Sequence, residues 1–246
     1  LELDRENALI AQNAGSAYEK LGDGTTALER YLTAGRLFLN SENYNDLALV
    51  IPRILELGST DRRAHGLAGK YYFAIEDFHR AEQELALADK ENDGGIPSSA
   101  APAAPAAQNT LPEPDPAARA GQPKPDPAVP YLRALLLIRK DKRKAALALL
   151  KRAVELAPDS AIFHFRLAEN LFILHQKPDE QELWEHIKKA LELEPEYGWT
   201  LNLAAQVELK AGRIESAEQY LEKAASILPH EAAVRMNKAE LSYLKG

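Results

Sequence analysis

The chain has no cysteine. That excludes disulfides, thiol catalysis and cysteine-ligated zinc, and it is compatible with a reducing or an oxidising compartment. No apolar run approaches the roughly 20 residues a membrane helix needs, so membrane contact is not expected. The opening stretch, "LELDRENALIAQ", carries charge from its second residue and lacks a signal-peptide pattern. It begins with Leu1 rather than Met, which reads as a trimmed or processed form, so the missing leader excludes no compartment. An excess of positive charge is also lacking. Thirty Lys and Arg stand against 37 Asp and Glu, a net charge of -7, which argues against nucleic acid as the partner.

Motifs for chemistry are missing as well. There is no G-x-S-x-G, no phosphate-binding loop, no G-x-G-x-x-G and no H-E-x-x-H. His65, His79, His164, His175, His186 and His230 are scattered, with no metal-ligand spacing. Glu182 and His186 share a helix face at i, i+4 and read as a surface pair. Carboxylates such as Glu76 and Asp77 fall at helix starts, where they suit the dipole. No catalytic residue, metal or cofactor is expected, and the chain does not read as an enzyme.

What is present is unevenly distributed. Residues 94–130 hold 10 of the 15 prolines and 10 alanines, with almost no large apolar side chain. Proline forbids helix interiors, and so little burial cannot offset the entropy of ordering. Residues 94–129 therefore read as a disordered or polyproline-rich linker between modules at 1–93 and 130–246. The first module is acidic (10 basic against 17 acidic residues) and the second nearly neutral (18 against 17). The one basic run, "RKDKRK" at 139–144, reads as a solvated turn.

Both modules read as helix. Apolar residues recur at i, i+3, i+4 and i+7, as in Leu221, Ala224, Ala225 and Leu228, and no period-2 strand pattern appears. An extra helix is expected at 43–57, with Pro52 kinking or splitting it.

The second module repeats itself. Pro158, Pro195 and Pro229 are 37 and 34 residues apart, each five residues after a small residue: Ala153, Ala190, Ala224. "FHFRLAENLFILHQ" (163–176) aligns with "TLNLAAQVELKAG" (200–212), setting Ala168 over Ala205. A period near 34 with two helices per unit is the pattern of a helical-hairpin solenoid.

On these residues the chain resembles the tetratricopeptide repeat (TPR) family. Unit 198–231 carries the pattern most fully, with Leu201, Ala204, Ala205, Gly212, Ala217, Leu221, Ala224 and Pro229. Unit 161–197 has Leu167, Ala168, Ile187, Ala190 and Pro195, with three extra residues in "HQKPDEQEL" and Leu183 where alanine is usual. Unit 127–160 has Ala134, Leu137, Ala146, Leu150, Ala153 and Pro158. Units 8–41 (Ala14, Gly15, Tyr18, Gly22, Ala27, Tyr31, Ala34) and 62–95 (Ala68, Gly69, Tyr72, Ala81, Leu85, Ala88) are more degenerate. The final segment reads equally as a solvating cap and as the first helix of a further repeat.

The resemblance implies an all-α solenoid of helical hairpins whose concave face is lined by the first helix of each unit. Its positions fall on Tyr131, Leu135, Ile138, Ile162, Phe165, Glu169, Phe172, Trp199, Asn202, Gln206 and Leu209. That stripe is apolar and aromatic, which suits a peptide or a partner's helix. The family's two-carboxylate clamp has no counterpart, because Tyr131, Leu135, Arg166, Trp199 and Leu203 occupy its positions. Non-catalytic protein binding or scaffolding is the expected function. The alternatives are a regulatory or substrate-recruiting region of a longer enzyme and a self-association module, that is, a homo-oligomer. Alanine- and proline-rich linkers suit bacterial envelope proteins, which leans toward a periplasmic or envelope setting, with the cytoplasm as the alternative.

Overall fold

The computed structural model describes residues 2–89, 125–177 and 179–246, with side chains described from residue 6. They form twelve α-helices and no strand among the described residues. The all-α expectation holds. Most of the 94–129 linker lies outside the described residues, but its last residues do not: the first helix after it starts at Ala128.

Two compact units result, Leu1–Asp126 and Pro127–Gly246. In the first, α1 (Glu2–Lys20) and α2 (Gly24–Asn40) form a hairpin, as do α4 (Arg62–Ala74) and α5 (Phe78–Asp89), with α3 (Tyr44–Leu57) between α2 and α4. In the second, α6 (Ala128–Arg139) pairs with α7 (Arg143–Leu156), α8 (Ala161–His175) with α9 (Gln181–Leu193), and α10 (Gly198–Lys210) with α11 (Ile214–Ile227). The last helix, α12 (Ala232–Lys245), packs on α10 and α11.

The two units start their helices differently. In the first, side-chain oxygens accept from backbone N–H groups at the helix starts: Asp23 from Thr26, Asn43 from Asp46, Asp61 from Arg63 and Asp77 from Arg80. Such caps satisfy donors that an α-helix leaves open. No helix of the second unit has a side-chain cap bond, so its hairpins depend more on packing.

Each turn inside a hairpin carries a left-handed residue. These are Gly22 and Gly212 at φ 79° and 72°, and the non-glycines Glu76, Asp141 and Gln176 at 61°, 56° and 51°. Glu42, at φ 55°, makes the same turn between α2 and α3. Thus α2 forms a hairpin with both of its neighbours.

Within a hairpin, small residues set the approach. A methyl on Gly15 would come within 2.9 Å of the Tyr31 ring, and one on Gly69 within 2.5 Å of Leu85. Ala168 and Ala205, at the same eighth position of α8 and α10, are completely buried. Bulky partners interlock across the gap: Leu85, Leu150, Ile187 and Leu221 are all fully buried.

Pro52 does not split its helix. α3 runs unbroken past it, because Pro52 faces solvent while Leu47, Val50, Ile51 and Ile54 anchor the opposite face in the core.

Candidate functional site

α8 and α10 are the central helices of the second unit. Each packs on its own hairpin partner and on the other, and α10 also meets α12. Their side chains are buried nearly all round, so each can present only a narrow stripe to solvent.

Those stripes face each other. Phe165, Glu169, Phe172 and Ile173 of α8 stand at i, i+4, i+7 and i+8, and Gln176 follows in the turn after the helix. Trp199, Asn202, Leu203, Gln206 and Lys210 of α10 follow a matching helical spacing. Together with Ala233 of α12 they line an open pocket of about 320 Å³.

The floor is apolar. Phe165, Phe172 and Leu203 are at most 4 % exposed and also belong to the core built with Leu183 and Ile187 of α9. Tyr197, at the turn into α10, meets Phe165 edge-on at 5.4 Å, and burial raises its phenol above the ordinary value. The apolar rim is exposed, Trp199 by 36 % and Ile173 by 41 %.

Charge sits at the edges, already paired. Arg166 lies 5.1 Å from the Phe165 ring and donates to Glu169 at 2.9 Å. Lys210 lies 5.5 Å from the Phe172 ring and donates to the Gln176 amide oxygen at 3.3 Å. Cations over aromatic faces shield the rings and position the ammonium at the pocket mouth. Asn202 Oδ1 accepts from Asn237 Nδ2 of α12 at 2.9 Å, which ties the wall to the next helix.

Six of the residues expected on the concave face therefore meet in one pocket: Phe165, Glu169, Phe172, Trp199, Asn202 and Gln206. The other five lie elsewhere. Tyr131 stacks on Phe163 at 4.6 Å, and with Ile138 it packs on the α6–α7–α8 core. Leu135 is half-buried on α6 and Ile162 is exposed at the start of α8. Leu209 is buried against α11 and α12. Ile173, Gln176, Leu203, Lys210 and Ala233 complete the pocket without having been expected there. The 3.6-residue period alone would place Ile173 beside Glu169 and Lys210 beside Gln206, one turn on.

Glu182 and His186 lie close enough to interact, but each makes its bond elsewhere. Glu182 bonds Lys151 of α7 at 2.7 Å, and His186 bonds His164 of α8. Among the described residues no group of three His, Asp or Glu is placed to hold a metal. No helix among them is long and apolar enough to cross a membrane.

Comparison with known proteins agrees with this architecture. The tetratricopeptide repeat family matches residues 131–160 and 200–230. A TPR repeat-containing protein of Treponema pallidum (strain Nichols) is 31% identical over 256 residues, covering 99% of this chain and 27% of the relative. The chain thus spans about a quarter of that relative's length. Among solved structures, YrrB, described as a TPR protein with an unusual peptide-binding site, matches with a TM-score of 0.59 at 20% identity over 88% of this chain and 97% of its own. PilF of Pseudomonas aeruginosa matches with a TM-score of 0.65 at 12% identity over 96% and 99%. The MamA protein matches at 0.52 and 14% over 92% and 94%. At these identities the structures share the fold.

Proposed function

Because the chain belongs to the tetratricopeptide repeat family, we propose that it is a non-catalytic protein-interaction module that grips a peptide or helix of a partner in the pocket between α8 and α10. The observation that carries this is the exposed rim of Trp199 and Ile173 above an apolar floor. An exposed tryptophan beside a cleft is a strong anchor for a partner's apolar side chain. The charged residues at the mouth are paired with their neighbours, so they would steer the ligand more than hold it. YrrB, with the same fold, is described as having a peptide-binding site, which supports the reading.

The test is selection from a random peptide library on the full chain, repeated with a Trp199→Glu, Ile173→Glu variant whose circular dichroism is unchanged. Selected peptides should carry a large apolar residue and should lose binding to the variant. Peptides that bind both proteins equally would move the site off this pocket.

A second reading rests on the length of the Treponema relative. In a protein of that size the same pocket would recruit a partner or substrate for other domains.

A further inference from the structure

His65 and His164 are the fourth residues of α4 and α8, and both rings are held in the same way. Nε2 of His65 donates to the carbonyl oxygen of Ser59, and Nε2 of His164 to that of Pro158, each at 3.0 Å. Both carbonyls lie in the turn before the helix. Each histidine then turns Nδ1 toward the second helix of its hairpin. There the two units part. His65 Nδ1 meets Glu84 Oε2 at 2.6 Å, whereas His164 Nδ1 meets His186 Nδ1 at 2.9 Å.

A carbonyl oxygen can only accept, so Nε2 of both rings carries a proton. In the first unit the other nitrogen faces a carboxylate. A ring protonated on both nitrogens satisfies both acceptors there. In the second unit the other nitrogen faces an imidazole, and two nitrogens 2.9 Å apart share only one proton. His164 Nδ1 must accept, so His186 Nδ1 donates. A proton added at the far nitrogen of His186 leaves that bond intact. A second proton, on His164 Nδ1, sets N–H against N–H and breaks it. The unfolded chain has no such limit, since each free histidine takes its proton near pH 6.5.

We infer that the His164–His186 pair is an acid-sensitive latch between α8 and α9, which weakens the C-terminal unit on mild acidification while the His65–Glu84 pair keeps its bonds. Four charged or titratable groups surround His186: His164 of α8, Lys151 of α7, and Glu182 and Glu185 of its own helix. Burial, then His164, hold it below the ordinary histidine value; the two carboxylates act the other way and Lys151 adds to the lowering. A base whose affinity for protons is depressed by folding contributes stability that is complete above the unfolded value. That stability is lost as pH falls through about 6.5. The latch also sits behind the pocket, because Phe165 and Ile187, the next residues in sequence, share one core. The inference stands whether or not the pocket takes a ligand.

The experiment uses the full chain, because both tryptophans, Trp184 and Trp199, lie in the C-terminal unit and report on it alone. Urea unfolding is followed by tryptophan fluorescence from about pH 7.5 to about pH 5.5, where ordinary carboxylates stay ionised. Below about pH 6.5 the unfolding constant of the wild type should rise by a factor approaching tenfold per pH unit, one proton's worth of linkage. His186→Glu copies the Glu84 arrangement and should hold or raise its midpoint over the same range. The slope with pH is what is compared, so a lower midpoint at neutral pH does not confuse the reading. Should that variant fail to fold, Glu84→His, followed by circular dichroism, should bring the acid-sensitive slope into the first unit. A wild-type midpoint that stays flat to pH 5.5, or a variant slope equal to that of the wild type, would overturn the inference.

Discussion

Replacing Gly69 with alanine tests how closely α4 and α5 approach. The new methyl would lie 2.5 Å from Leu85 Cγ, 2.6 Å from its Cδ2 and 3.2 Å from its backbone nitrogen. Leu85 is fully buried, and a backbone atom is among the obstacles, so a rotamer change alone cannot make room. Overpacking of this kind costs about 1–3 kcal/mol, and the backbone contact points to the upper end. Alanine recovers about 1 kcal/mol over glycine in a helix interior. The net expectation is a loss of about 2 kcal/mol. With a urea slope of roughly 2 kcal/mol/M, the midpoint of the first unit should fall by about 1 M. Far-UV circular dichroism of the full chain reads that transition. Tryptophan fluorescence, confined to the second unit, should not move and serves as the internal control. Ala168 and Ala205 show that the hairpin itself tolerates a methyl at this position. An unchanged or raised midpoint would therefore mean that α4 and α5 relax apart at no cost, and the close-approach argument would fail.

The left-handed turns and the buried amide bond give three more predictions. Glu76 is exposed and sits at φ 61°, so Glu76→Gly should stabilise the first unit by about 0.5–1 kcal/mol, and Gly212→Ala, with nothing within 4 Å of the new methyl, should destabilise the second by about 1 kcal/mol through backbone strain alone. Urea midpoints decide both. Asn237→Ala leaves Asn202 buried without its donor and should cost about 1–3 kcal/mol in the tryptophan-monitored transition; a loss under about 0.3 kcal/mol would mean that water replaces the bond.

The helices and their pairing were legible because two signals agreed, an apolar period near 3.6 and a proline recurring near 34 residues. The identity of the exposed face was much less so. Phe165 and Trp199 look alike in sequence, yet one is floor and the other rim, because α8 and α10 are packed on several sides and apolar residues recur all round them. Leu209 shows the same ambiguity, resolved toward α12. Pro52 reads as a helix breaker until the solvent-facing side of α3 is known. The meeting of His164 and His186 depends on how the long α8–α9 turn closes, which spacing alone does not reveal. The parallel with His65 and Glu84 was visible only once both rings could be compared in space.

Among the described residues of each unit, the main helix contacts run between neighbours in sequence or to the helix one further on. Every closure along the folding path is therefore short, and contacts of low sequence separation form fast. Stability in such an array is a sum of local and nearest-neighbour terms, so it need not be lost all at once. Opening should begin where a helix has a neighbour on one side only. In hydrogen exchange the amides of α12 should be replaced well before those of α10, which packs on α8, α9, α11 and α12. The pocket would then be among the last parts of its unit to dissolve, and a peptide bound there would slow the exchange of its rim more than that of its floor.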